Sequence, residues 1–497
     1  MAKADLAAKR KKLGDAAITL AKIPPILTNL SQTLVPLHDQ LRQDVFTAVA
    51  NELEIESDGT VQPTPFVASP PESVPTPPPL PGQPPGSAPA SPDPHQLASQ
   101  LTSQIQDILR TASMADEEAA AALRNLTAQA TGLAPAANDP GLTASATAIP
   151  GPNTSPADVR KWWDSLSAQQ QESLLFMHGD QLGAMDGIPA VVRDRVNRDV
   201  LAELESRLGE EKVRLETKSQ PLSDADQAQL NDFNGKLGGM QAIDQRLAVQ
   251  PSAAQQQPFL LKIGVQGGGR AVVAMGNPDT ATNVATFVPG TSASLATCGG
   301  LLTRSDLMGQ AAAKANSPST SVITWIGYDA PPTFPDAAFD SYARDAEPAL
   351  TRFQDGLRAT HDGPPSHNVM IGHSYGTTAI GYAAHDGSLN ANDLVFVASP
   401  GVDANRPADL HLDGVDPSQM GQHIYATTAK HDIINVVDGW FGPNPSDAGF
   451  GDQVFTSNPG AAGSLFGDSF AVHSQYWDSG NRALDNMGKI IAGMSTN

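Results

Sequence analysis

The sequence predicts an α/β fold, a mostly parallel sheet with flanking helices, preceded by an all-α N-terminal region and a Pro-rich linker. From Pro258 onward, short apolar runs typical of buried strands alternate with helical patterns. The first two runs, 260–265 and 270–275, are joined by a glycine turn typical of an antiparallel hairpin. Upstream, apolar residues recur every three to four positions, which indicates helices.

The composition limits the classes of function. The chain has 497 residues, enough for two or three domains, and a formal net charge of −22. Such a surface repels nucleic acid and anionic membranes, so we expect neither as a partner. The single cysteine, Cys298, excludes an intrachain disulfide and a thiolate metal cage, and we expect it to be buried. No histidine pair has metal-ligand spacing, and we expect no metal or organic cofactor.

The sequence also bears on localisation. No apolar run approaches the ~20 residues that span a bilayer, so no transmembrane segment is expected. The first residues include lysines but no apolar core of a secretory signal peptide. Cytoplasmic residence is therefore the default expectation, with leaderless secretion as the alternative.

The composition divides the chain into five segments. They are a helical segment (1–60), a Pro-rich linker (61–94), a second helical segment with a loop (95–154), a helical extension (155–255) and the catalytic α/β domain (256–497). The helix after Pro24-Pro25 carries an amphipathic stripe that Pro36 could kink or split. These N-terminal helices could also bind a protein partner.

A long helix is predicted from Ala190 to about Leu208, rich in alternating arginine and acidic residues. Its polar cluster at 193–198 could be a contact surface. The alternative is a solvated helix with local ion pairs and one buried face.

A strand, a sharp turn and a helix are predicted around Ser374. The apolar run 368–371 leads into the motif GHSYG (372–376), and a small-residue helix follows. In a G-x-S-x-G turn the serine stands at the apex, and the flanking glycines allow close approach of strand and helix. The helix aims N–H groups at the place where an oxyanion would form. The alternative is a glycine-rich turn without chemistry.

A nucleophilic serine needs a histidine base, and that base needs an acid to orient it. Asp432 follows a late predicted strand and is our candidate acid, with Asp403 and Asp438 as alternatives. Asp432 could instead cap a helix. His473 is the only histidine after Asp432 and fits the order Ser, Asp, His, although a buried structural histidine is the alternative. His373 directly precedes the serine and is expected to point away from it.

Two further groups of candidate residues surround this triad. The predicted oxyanion donors are the N–H groups of Tyr375 and Thr291, since Thr291 follows another strand end. The segment 438–470 is long for a loop without regular structure. We expect its Trp440 and Phe441 to wall a substrate pocket within a movable flap. In the alternative, such rings only pack the loop onto the end of the sheet.

Several short motifs lie between about Ser155 and Met494. They are WW with LS (162–167), GIPA with VRDRVNR (187–198), VPGT (288–291), GHSYG (372–376), SPG (399–401) and HSQYW (473–477). This set resembles the actinobacterial α/β-hydrolase family formerly catalogued as a domain of unknown function. The resemblance implies a serine hydrolase of α/β-hydrolase fold with a helical N-terminal extension. It supplies no substrate, and residues 1–150 fall outside it.

These observations predict a serine hydrolase, most simply an esterase or lipase-like enzyme that cleaves a small-molecule or lipid ester through an acyl-enzyme. The alternative is an interaction protein or exported effector, similar to type VII secretion substrates, whose helical N-terminal half is the working part. Residues 1–131 lack tryptophan, and so lack the W-x-G turn of such substrates.

Overall fold

The computed structural model divides into two compact units, 1–143 and 144–497. It describes residues 23–51, 53–56, 59–63, 94–131, 149–218, 221–250, 256–437, 439–463 and 468–496. The start of the chain and most of the predicted Pro-rich linker lie outside these residues.

The first unit combines two long helices with a small hairpin. Helices α1 (Ile23–Ala50) and α2 (Pro94–Thr131) pack together, and strands β1 (Leu53–Ile55) and β2 (Val61–Pro63) pair antiparallel. Residues 53–63 were expected to be helix and linker. They form a hairpin instead because apolar side chains of both strands join a small core with α2. Helix α1 continues through Pro36 and is not split.

An eight-stranded sheet forms the centre of the second unit. Its strands are β3 (Pro258–Gly264), β4 (Arg270–Met275), β5 (Asn283–Val288), β6 (Thr320–Ile326), β7 (His367–His373), β8 (Asp393–Val397), β9 (Ile424–Thr427) and β10 (Gln453–Val454). The spatial order is β10-β9-β8-β7-β5-β6-β4-β3. Strand β4 is antiparallel to β3 and β6, and the other neighbours are parallel. The predicted mostly parallel sheet is confirmed.

Helices surround this sheet. Before it come α3 (Pro156–Ser165), α4 (Ala168–Gly183), α5 (Ala190–Glu216) and α6 (Asp224–Leu247). Between and after the strands come α7 (Cys298–Lys314), α8 (Ser341–Thr360), α9 (Tyr375–Asp386) and α10 (Arg482–Ile491). Cys298 is buried as predicted, and burial raises the pKa of its thiol to about 12. No helix in the described part of the chain is long and apolar enough to cross a membrane.

The polar cluster of α5 binds the edge of the sheet. Asp194 Oδ1 accepts a hydrogen bond from Leu260 N at 2.7 Å, and Asn197 Nδ2 donates to Leu260 O at 3.0 Å. Arg193 Nε donates to Leu261 O at 2.9 Å. These side chains satisfy backbone groups that edge strand β3 would otherwise leave unpaired. This part of the cluster is therefore not a partner surface. It is the buried face of α5, as in the alternative interpretation.

The segment between the candidate acid and base contains regular structure, contrary to expectation. Strand β10 pairs parallel with β9. Phe441, Phe450 and Phe455 are buried and belong to the main core. Their burial draws the segment onto the end of the sheet, as in the alternative interpretation, whereas Trp440 remains 42% exposed.

Candidate active site

Ser374 occupies a sharp turn between β7 and α9. Its backbone has φ 55° and ψ −130°, a strained conformation for a residue other than glycine. A Cβ on Gly372 would lie 2.7 Å from Thr377 Cα, and one on Gly376 would overlap the Val288 carbonyl oxygen. Both glycines of the motif are therefore required by close packing of α9 on the sheet. The turn holds the serine at the carboxyl end of a central strand.

Asp432 and His473 form a hydrogen-bonded pair. His473 Nδ1 lies 2.7 Å from Asp432 Oδ1, and the Asp432 side chain is 0% exposed. Oδ1 also accepts a bond from Ile434 N at 2.9 Å, so Asp432 does cap the short 3-10 turn that follows. The His473 side chain is 19% exposed, which leaves its outer edge able to reach solvent.

Tyr476 holds the second oxygen of the same carboxylate. Its hydroxyl donates to Asp432 Oδ2 at 2.6 Å and accepts a bond from Ala429 N at 2.8 Å. Burial, and then the Asp432 charge, raise the pKa of Tyr476, so the hydroxyl stays protonated. No sequence pattern predicts a role for this tyrosine, although it lies three residues after His473.

The alternative acid Asp403 lies beside His385. Asp403 Oδ2 is 3.7 Å from His385 Nδ1, and Asp386 Oδ1 is 2.8 Å from the same nitrogen. These three side chains are the one group within the described residues whose His, Asp, Glu or Cys atoms are close enough to share a cation. Exposed acidic groups of this kind are common without an ion. Asp438 lies outside the described residues.

A cavity of about 350 Å³ opens beside Ser374. Ser374 and His473 both line it, together with Thr291, Ser292, Thr297, Arg304, Phe334, His373, Ile433 and Phe470. In the described residues no hydrogen bond of 3.5 Å or less joins Ser374 Oγ to His473. Ser374 and His473 thus line one cavity with no hydrogen bond between them.

The aromatic wall of this cavity differs from the prediction. Phe334 and Phe470 line it, and their ring centroids are 5.9 Å apart. Trp440 is one layer behind, with its ring 5.8 Å from that of Phe334. Phe441 packs edge-on against Tyr375 at 5.7 Å, within the core. Trp440 and Phe441 do not line the cavity. The loop that carries them is held against the core by its buried phenylalanines.

The predicted oxyanion donors lie at the junction of two strand ends. A Cβ on Gly290 would lie 2.7 Å from Tyr375 N and 2.9 Å from Ser374 Cβ, so this loop touches the start of α9. Tyr375 is the first residue of α9, where N–H groups have no intrahelical acceptor. Thr291 lines the cavity. The N–H of Ser292 is occupied, since it donates to Pro331 O at 2.7 Å.

His373 does not point away from the site, contrary to expectation. Its ring centroid is 4.7 Å from that of His473, and its Nε2 donates to the His473 carbonyl oxygen at 2.8 Å. Burial, the neighbouring His473 and Arg304 all lower the pKa of His373 well below its usual value. His373 is therefore neutral, and its Nδ1 is an acceptor.

A family model described as an alpha/beta hydrolase matches residues 265–442. The chain carries an α/β-hydrolase domain. A protein of Mycobacterium tuberculosis is 32% identical over 380 residues, 69% of this chain. The chain spans 57% of that relative's length. A Mycobacterium bovis protein is 28% identical over 246 residues, 47% of this chain and 88% of the relative. Both relatives are themselves uncharacterised.

Among the solved structures to which the chain is similar is the esterase LipW from Mycobacterium marinum, at 14% identity and a TM-score of 0.33. That likeness covers 55% of this chain and 90% of the esterase. A hyperthermophilic esterase from Pyrobaculum calidifontis is 10% identical with a TM-score of 0.32, covering 61% of this chain and 98% of the esterase.

Proposed function

We propose that the hydrolase domain cleaves carboxylic esters through an acyl-enzyme formed on Ser374. The observation that carries this proposal is the Asp432–His473 pair at a cavity that the strained Ser374 also lines. Asp432 accepts the Nδ1 proton of His473, which leaves Nε2 free to accept a proton. A buried acid, an oriented imidazole and a serine at the apex of a turn are the parts that serine-based acyl transfer needs.

The reaction proceeds in two halves. Ser374 Oγ attacks the ester carbonyl carbon while His473 Nε2 takes its proton, and that proton then leaves with the alcohol. A water molecule next attacks the acyl carbon and gives a proton to the same nitrogen. That proton then passes to Ser374 Oγ as the bond between Oγ and the acyl carbon breaks, which releases the carboxylic acid. Asp432 keeps the imidazole in one tautomer and stabilises its charged form, and Tyr476 keeps Asp432 in place.

The N–H groups of Tyr375 and Thr291 stabilise the oxyanion of each tetrahedral intermediate. Support comes from the contact of Gly290 with the start of α9 and from the place of Thr291 in the cavity wall. One such donor contributes on the order of 3 kcal/mol to the transition state.

Substitution of Gly290 by alanine should lower kcat for ester hydrolysis by about 10²- to 10³-fold, the range for loss of one oxyanion donor. The added Cβ would lie 2.6 Å from the His373 carbonyl oxygen and 2.7 Å from Tyr375 N, so the loop carrying Thr291 must move away. Gly209→Ala is the control, because a Cβ there meets no atom within 4 Å. Steady-state kinetics on both variants measure the difference. Equal activity of the two variants would contradict the assignment.

Phe334 and Phe470 wall the substrate pocket, and Trp440 supports Phe334 from behind. Trp440→Ala should therefore change the relative kcat/KM for acetyl, butyryl and octanoyl nitrophenyl esters. The melting temperature should change little, because the ring is already 42% exposed. A lower melting temperature with unchanged acyl preference would mean that Trp440 only packs the loop.

The general test is a parallel measurement of turnover and inactivation. The wild-type chain should hydrolyse a short-chain nitrophenyl ester, and a fluorophosphonate should abolish that activity. Loss of turnover and gain of covalent label should follow one rate constant. Full activity in fully labelled protein, or no turnover of any ester in the acyl series, would contradict the proposal.

A further inference from the structure

The cavity beside Ser374 contains an arginine without an acidic partner. Of its described lining residues, Arg304 is the one arginine or lysine, and none is a carboxylate. Arg304 lies on α7, and its side chain is partly buried. Within the described residues, no carboxylate oxygen lies within 4.0 Å of its guanidinium. The cavity therefore presents a positive charge that has no acidic neighbour among the described residues.

Two other enclosed arginines of the second unit do have counter-ions, whereas the partly buried Arg358 is held by neutral oxygen atoms of Ser366, Asn390 and Asn392. Arg193 pairs with Asp186 at 3.0 Å, and Arg246 pairs with Asp306. At Arg304, burial lowers the guanidinium pKa, and no acidic neighbour offsets it. The chain has 53 acidic and 31 basic residues. A shortage of acidic residues therefore does not explain why Arg304 has no acidic partner. An arginine keeps its charge despite such a shift.

The guanidinium is held in place by neutral groups. It stacks over the Trp477 ring with Cζ 4.5 Å from the ring centroid. Its Nη1 lies 3.4 Å from His373 Nδ1, the acceptor nitrogen of that neutral imidazole. A guanidinium carries five N–H donors, so most remain for a ligand. Arg304 is thus oriented by one weak hydrogen bond and one aromatic face.

We propose that Arg304 binds an anionic oxygen group of the substrate, a carboxylate or a phosphate, so that the domain prefers negatively charged esters. This inference rests on the proposed ester hydrolysis. Arginine binds both anions through two parallel N–H bonds, which fixes position as well as charge. Cavity threonine and serine residues are neutral, so only Arg304 provides the charge. Such an anion would repay the desolvation of the guanidinium.

The test compares esters that differ in charge. On the alcohol side these are 4-acetoxybenzoate, 4-acetoxyphenyl phosphate and the neutral methyl 4-acetoxybenzoate. On the acyl side they are mono-4-nitrophenyl adipate and 4-nitrophenyl hexanoate. Each kcat/KM is divided by the rate of spontaneous hydrolysis of that ester. The readout is the ratio of anionic to neutral ester, because a general defect in the triad lowers both alike.

In Arg304→Gln this ratio should fall about 10- to 100-fold, the size expected for one charge-assisted hydrogen bond. Arg304→Lys keeps the charge but loses the forked geometry, so its ratio should fall less. Arg207→Gln, an exposed position outside the cavity, should leave the ratio unchanged. This ratio is compared for the carboxylate and the phosphate ester. The anion whose ratio falls more in Arg304→Gln is the one that the site fits.

An equal loss on charged and neutral esters would overturn the inference, since Arg304 would then only position His373. A wild-type chain that labels with a fluorophosphonate but hydrolyses no anionic ester would overturn it too. Absence of labelling at Ser374 would instead refute the proposed function. If Arg304→Gln fails to fold, the wild-type ratio at high salt decides, because salt screens the repulsion by the acidic surface more than it screens the partly buried Arg304. That ratio should exceed one, and a ratio of one or below would count against the inference.

Discussion

Replacement of Ser374 by alanine should lower kcat for ester hydrolysis by about 10⁶-fold, as expected when the nucleophile of a serine triad is removed. Alanine retains the Cβ, so the backbone strain at φ 55° is unchanged. The melting temperature should therefore stay close to that of the wild type. Initial rates with a nitrophenyl ester and a thermal scan of the same preparation measure both quantities.

The matched control is Ser418→Ala, at an exposed serine outside the cavity. It should retain wild-type kcat. Activity of Ser374→Ala above about a hundredth of the wild-type value would contradict the role of Ser374, because the other groups of a triad site cannot supply that much without the nucleophile. In that case the motif would be a glycine-rich turn without chemistry.

Substitution of Asp432 by asparagine should lower kcat by about 10⁴-fold. The carboxylate accepts bonds from His473, Ile434 and Tyr476, whereas an asparagine offers one acceptor oxygen and one donor nitrogen. The amide carries no charge to stabilise the imidazolium, and it can leave His473 in the wrong tautomer. The same variant should unfold at a lower temperature, because the site is fully buried.

Asp403→Asn is the control for the acid. Asp403 has φ 57°, a conformation that asparagine tolerates, and its carboxylate faces His385. Its kcat should stay close to that of the wild type, because Asp403 does not line the cavity beside Ser374. If Asp403→Asn lost activity and Asp432→Asn kept it, the catalytic acid would be Asp403.

Much of this arrangement follows from local sequence. The strands alternate with helices at spacings that predict a parallel sheet, and the fold agrees. The turn around Ser374 is marked by two glycines at fixed spacing, and a Cβ on either would meet a backbone atom of α9 or β5. Asp432 could be predicted because it follows a strand end, and His473 because it is the only histidine after Asp432. The structure places them 2.7 Å apart, while their catalytic roles stay predictions.

Other features depend on contacts distant in the chain, which no local pattern records. Arg304 enters the cavity from α7, 70 residues before Ser374, and its neighbours there are His373 and Trp477. Phe334 belongs to a loop after β6 that carries no motif. Trp440 and Phe441 were predicted to wall the substrate pocket, but burial of Phe441 fixes the loop against the core.

The hairpin of the first unit was missed for a related reason. Strands β1 and β2 have three residues each, too short for a periodic signal. Their apolar residues are covered by α2, whose first residue lies about 30 positions beyond Pro63. The long amphipathic stripe of α1 made a continued helix the simpler prediction.

The most direct test of the central claim is to locate the covalent adduct on the native chain. The wild-type protein is treated with a fluorophosphonate, digested, and sequenced by tandem mass spectrometry. We predict one adduct per chain, on Ser374, with its formation slowed by a competing ester substrate. No adduct should form on Ser374 when the protein is heat-denatured before the fluorophosphonate is added. An adduct on another residue, or an unmodified Ser374 in folded protein, would contradict the account.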